Sequence, residues 1–95
     1  MAWETWTAQT PYKGFKVGRD YLNLSKELWA DLRAKKWERV AIDYDPEEKL
    51  IRLRESKRGA KITKHGTIAA TIPMPMVRYE LQEEREGYLY FGLIN

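Results

Sequence analysis

Apolar and polar residues alternate through most of this chain, and only one stretch breaks the alternation with helical spacing. Side chains of an extended strand point to opposite faces in turn, so a period of two places one row in a core and the other in water. Leu22 and Leu24 flank Asn23; Val40, Ile42 and Tyr44 flank Ala41 and Asp43; Ile51 and Leu53 interleave with Arg52 and Arg54. Val77, Tyr79 and Leu81 repeat the pattern against Arg78, Glu80 and Gln82, and Tyr88 to Ile94 forms a dense apolar strand. Turn residues separate these runs: Asp45-Pro46-Glu47-Glu48, Gly59, His65-Gly66 and Gly87. Pro73-Met74-Pro75 cannot continue a central strand, because proline lacks the amide donor.

The exception is the stretch after Leu24. Ser25 occupies an N-cap position, with Leu24 before it and Trp29 at the fourth helical position, as in a hydrophobic staple. Leu28, Trp29 and Leu32 form one apolar stripe, and Lys35 and Lys36 complement the negative end of the helix dipole. The spacing predicts a helix over about 26–36. Tyr12, Phe15 and Val17 suggest a short strand between the bends allowed by Gly14 and Gly18, and Ile62 to Ile72 reads as a bent strand or tight hairpin. Residues 1–11, rich in Trp and Thr, read as an edge strand or an arm. The expected fold is α+β: a small, β-rich domain spanning residues 1–95, with five to seven short antiparallel strands and one main helix.

A chain of 95 residues buries only about 60–65% of its unfolded surface, and a homodimer would relieve that shortage. The absence of cysteine excludes disulfides, thiolate catalysis and cysteine-ligated metals. No apolar run is long enough to cross a bilayer, and Met1-Ala2-Trp3-Glu4-Thr5-Trp6 lacks the basic-then-apolar form of a secretory signal. A cytoplasmic location without membrane association is therefore expected. Asn occurs only at 23 and 95 and Gln only at 9 and 82, which with a third of residues charged leans towards a thermophilic source.

The segment Tyr21 to Leu32, followed by Val40-Ala41-Ile42-Asp43-Tyr44-Asp45 and Leu50-Ile51-Arg52-Leu53-Arg54, resembles the AbrB/MazE swapped-hairpin family over about residues 16–54. That resemblance implies an interlocked dimer that binds DNA as a transcriptional regulator or antitoxin. The family's DNA-contact residues are not matched here: Trp29 and Ala30 stand where its helix carries arginines. Leu22 to Leu32 also looks like the last strand and helix of a family of single-stranded-DNA-binding transcriptional coactivators.

No set of residues suggests a reaction, a metal site or a cofactor. His65 is the only histidine and reads as an exposed turn residue; Ser25 is explained as a cap, and Ser56 has no base beside it. Asp43 and Asp45 with Glu47 or Glu48 could converge on a divalent cation, but ordinary strand-end and turn chemistry is the favoured reading. Gly14-Phe15-Lys16-Val17-Gly18 is not followed by the lysine and hydroxyl residue of a phosphate-binding loop.

Charge segregation says more. Residues 49–64 hold seven basic groups against Glu55 alone, whereas residues 79–95 hold four glutamates against Arg85. Basic groups neutralise phosphates and release counterions, so Arg52, Arg54, Lys57, Arg58, Lys61 and Lys64 are the expected nucleic-acid contacts, with DNA placed ahead of RNA. Trp29, Tyr44 and Phe91 are assigned to the core. Trp3, Trp6, Tyr12 and Tyr21 are the candidates for base stacking or for a partner surface. The reading is a small nucleic-acid-binding regulatory protein. Its alternative is a protein-interaction module, such as a phage- or plasmid-type inhibitor or accessory subunit.

Overall fold

A computed structural model describes residues 2–3 and 12–93. The alternating segments become eight antiparallel strands: β1 (Gly14–Val17), β2 (Tyr21–Leu24), β3 (Arg39–Asp45), β4 (Leu50–Glu55), β5 (Ala60–Lys61), β6 (Thr67–Ala69), β7 (Arg78–Arg85) and β8 (Tyr88–Leu93). One helix, α1 (Lys26–Ala34), lies between β2 and β3. The strands form a single sheet in the order β5-β3-β4-β8-β7-β1-β2-β6. A bridge between Ile62 and Ile68 and a hydrogen bond from Thr63 N to Thr67 O join its two outermost strands. The sheet therefore rolls into a nearly closed barrel, which pairs the edges that an open sheet leaves exposed.

This corrects the α+β expectation: the chain is mostly β. The physical reason is where the helix goes. A nine-residue helix cannot cover a sheet face as a second layer; it plugs one end of the barrel with Leu28 and Leu32, both fully buried. Strand number was underestimated because β5 and β6 have two and three residues, too few for alternation to register.

The predicted row of inward residues is the barrel core. Phe15, Ile51, Leu53, Ile68, Leu89 and Phe91 are buried, with Phe15 stacked against Tyr79 (5.7 Å between centroids) and tilted against Phe91 (4.7 Å). Ile72 and Met74, in the segment between β6 and β7, close the end opposite α1. Tyr44, assigned to the core from its alternation, is instead 46% exposed, because β5 covers β3 only at Arg39 and Val40 and leaves Tyr44 on an open edge beside its buried partner Ile51.

The local chemistry of the turns accounts for the register. Ser25 Oγ accepts from Leu28 N (3.2 Å) as the N-cap, and from Gly14 N (3.0 Å), tying the helix start to β1. The helix stops at Ala34, two residues short of the expected end, because Lys36 takes the left-handed conformation (φ 61°). Lys36 N then donates to Arg33 O and Trp37 N to Leu32 O, a paired C-terminal closure that returns the chain to the barrel. Glu86 and Gly87, both with positive φ, make the tight turn between β7 and β8. Lys13, Asp31, Lys35 and Glu84 form a chain of ion pairs that holds α1 against the barrel; Lys35 Nζ lies 2.9 Å from Glu84, and this bond chiefly raises its pKa. Among the described residues, no helix is long and apolar enough to cross a membrane.

Candidate nucleic-acid interface

The barrel separates the basic segment into two surfaces. Arg52 and Arg54 leave the outer face of β4, opposite buried Ile51 and Leu53. Arg52 is engaged: its Nε lies 2.8 Å from Asp43 Oδ2 on β3, and its guanidinium sits 4.5 Å from the Tyr88 ring centre on β8. Arg85 on β7 lies 5.3 Å over Tyr90 and 3.5 Å from Glu83. The Arg85 guanidinium beside the Tyr90 hydroxyl, then Arg52, holds that phenol below its ordinary pKa. Asp43, Arg52, Tyr90, Arg85 and Glu83 thus form a compensated ladder across four strands. Arg54 is exposed next to it, and Lys57 and Arg58 occupy the turn after β4.

Lys61 and Lys64 belong to a different place. The hairpin of β5 and β6 stands beside α1, and between them lies a cleft of about 870 Å³. Trp29 and Trp37 line it together with Arg33, Arg39, Lys61 and Lys64; Glu38 is its one carboxylate, and His65 sits on its rim. The fold places each group for a local reason. Trp29 is the staple residue of the capped helix, half-buried on the core, and Arg33 follows one turn later with its guanidinium 5.0 Å from the Trp29 ring centre. Trp37 is set by the C-terminal closure of α1. Arg39 and Lys61 are direct partners across β3 and β5, and Ile62 N donates to Glu38 O (2.9 Å), which fixes the hairpin next to the Trp37–Arg39 segment. Gly66 (φ 77°) brings the hairpin turn onto the indole, and a Cβ there would meet Trp29 at 3.5 Å.

None of Arg33, Arg39, Lys61 and Lys64 forms an ion pair with a described residue. Arg39 donates one bond to Gly59 O (3.1 Å). Four cations around two indoles, with Glu38 as the carboxylate among the described lining residues, contrast with the ladder on β4, β7 and β8, where Arg52 and Arg85 each have a carboxylate partner.

Sequence reasoning singled out Lys61 and Lys64 as candidates without placing Arg33, Arg39, Trp29 and Trp37 beside them. The spacing of Trp29 and Arg33 on one helix face was the available signal. Of the aromatic candidates, Tyr12 lies under Arg78 (5.3 Å), Tyr21 and Trp3 are exposed, and Trp6 is outside the described residues. Asp45 accepts from Glu47 N and Glu48 N, which is turn chemistry, and no group of three or more metal-ligating side chains occurs among the described residues. The chain matches no family model, no curated protein and no solved structure.

Proposed function

We propose that this protein binds nucleic acid, and that the cleft between α1 and the β5–β6 hairpin is its principal contact. The observation that carries this reading is the convergence of Arg33, Arg39, Lys61 and Lys64, none ion-paired with a described residue, beside Trp29 and Trp37. Like charges gathered in one cleft repel one another, and an anionic ligand relieves that repulsion. A polyanion with aromatic bases matches both the charge and the indoles. Arg54, Lys57 and Arg58 extend the positive field around the barrel, whereas Arg52 is held by Asp43. A regulatory role, with DNA as the natural polymer, remains part of this proposal. A homodimer is part of the proposal too: β5 pairs only with Arg39 and Val40, which leaves the far half of β3 as the backbone edge open to a second copy.

The competing reading, a protein-interaction module, has one specific support: Met76 (62% exposed) and Val77 (40%) form an apolar step at the barrel end away from α1. Titration of labelled oligonucleotides at two salt concentrations separates the two. Phosphate contacts give a log–log salt slope of about 0.7–0.9 for each phosphate neutralised. Arg39→Ala with Lys61→Ala and Lys64→Ala is expected to weaken binding and flatten the slope, and Arg52→Ala to do so much less. Salt-independent or absent binding, with Met76→Asp disrupting association with another protein, would replace this reading by its rival.

A further inference from the structure

Resting on the nucleic-acid reading, we propose that the cleft takes single-stranded nucleic acid, with unpaired bases stacked on Trp37 and Trp29, and reads little of their sequence. Three observations converge on this. The first is shape. The indoles lie within a concavity between a helix and a hairpin, of the roughly 300–1,000 Å³ scale that encloses one compact ligand. A duplex is a convex rod whose grooves are read by protruding helices or ribbons, and its bases stack on one another, so their faces never meet a recessed indole. A single strand turns its bases outwards and can place them there.

The second is the arrangement of charge. Arg33 stands on the helix side, Lys61 and Lys64 on the hairpin side, and Arg39 on the segment between them. A backbone threaded along the cleft would meet a cation on either hand. The Arg33 guanidinium lies over the Trp29 ring, where a base would stack. An incoming base takes that position, and the guanidinium turns to a phosphate, exchanging a cation–π contact for a charge-assisted hydrogen bond.

The third is how few groups besides the cations, which the backbone phosphates engage, could read base edges. Thr63 Oγ1 is bonded to Thr67 Oγ1 (2.7 Å) and accepts from the amides of His65 and Thr67. Glu38 and His65 are the remaining neutral or acidic polar side chains of the lining. Stacking tolerates every base, so sequence preference should be weak.

The test uses the full chain with four probes of matched length, about eight nucleotides: oligo-dT, oligo-rU, a blunt DNA duplex and inorganic polyphosphate. Affinity and tryptophan fluorescence are read together. The expected result is that both single strands quench fluorescence and bind at least about tenfold tighter than duplex or polyphosphate. Trp37→Leu, which keeps an apolar side chain against the core, is expected to lower single-strand affinity by roughly 5- to 150-fold, the range for loss of one stacked base, and to leave polyphosphate affinity unchanged. Duplex bound as tightly as single strands, or single strands bound without quenching, would overturn the stacking inference and leave the nucleic-acid reading standing. Polyphosphate bound as well as every nucleic acid, or no binding at all, would remove that reading and this inference with it. Should Trp37→Leu fail to fold, the wild-type quench and duplex comparison decide the question, and the exposed Arg33→Ala supplies the variant.

Discussion

The amide of Trp37 donates to the carbonyl of Leu32 at 3.1 Å, across a lysine held in the left-handed conformation. Through this bond the end of a short helix sets the position of a cleft tryptophan. Lys36, at φ 61°, carries a Cβ where glycine is preferred. Lys36→Gly is therefore expected to stabilise the protein by about 1 kcal/mol, read as a higher urea midpoint at unchanged slope. Lower stability would show that Lys36 contributes a contact outweighing its strain.

Ser25 satisfies two backbone donors at once, Leu28 N on its own helix and Gly14 N on β1. Ser25→Ala removes the cap and loosens the attachment of helix to barrel. The expected loss is about 1–2 kcal/mol in equilibrium unfolding, and Ser25→Asp is expected to recover part of it. A loss below about 0.5 kcal/mol would mean that water replaces the hydroxyl.

Two glycines make a contrast that tests the barrel geometry. A Cβ at Gly14 would fall 1.9 Å from Tyr79 O, against backbone that cannot yield without parting β1 from β7. At Gly87 (φ 82°) nothing lies within 4 Å, so alanine meets only conformational strain. Gly14→Ala is expected to cost about 3 kcal/mol or more and Gly87→Ala about 1–2 kcal/mol. Equal thermal shifts for the two variants would contradict the close approach of β1 and β7.

Tyr79 carries a pH dependence of defined sign. Burial pushes its phenol above the ordinary value of about 10. Below that pH the group is neutral in folded and unfolded states alike, and its contribution is complete. Above it the unfolded chain releases the proton while the folded barrel retains it, so stability falls as pH rises towards the raised value. Tyr79→Phe removes this dependence together with the bond from the hydroxyl to Pro75 O (3.2 Å). The variant is expected to be less stable by about 1 kcal/mol at neutral pH, and to lose less than the wild type between neutral pH and pH of about 11. Parallel alkaline unfolding curves would show that another group governs the transition.

The elements that were legible in the sequence are those built from neighbours along the chain. Ser25 with Leu28 defines a cap within four residues, Ile51 and Leu53 mark an inward row, and Gly87 marks a turn; all three stand as expected. Closure was not legible, because it rests on Ile62 meeting Ile68 and on β2 pairing with β6, and strands of two or three residues carry no periodic signal. The helix end was misplaced because a lysine took a position that usually announces itself as glycine. The same lysine concealed Trp37, so Lys61 and Lys64 were read as part of a strand-and-loop track with Arg52 instead of as one wall of a cleft with two tryptophans. Tyr44 shows the limit of alternation: it states which side of a strand a residue takes, and nothing about whether the core reaches that far along it.

The strand order carries a consequence for how the molecule is made. β7 and β8, the last of the described strands, lie between β4 and β1, in the middle of the sheet. During synthesis, the six earlier strands are made before the two that lie between them. The nascent chain then presents two open edges, along β1 and β4, with core residues such as Phe15 and Leu53 uncovered behind them. The earlier strands can pair among themselves, but the core stays open until this hairpin fills the gap between them, and the interval before it arrives is when the polypeptide is most exposed to aberrant pairing and to chaperones.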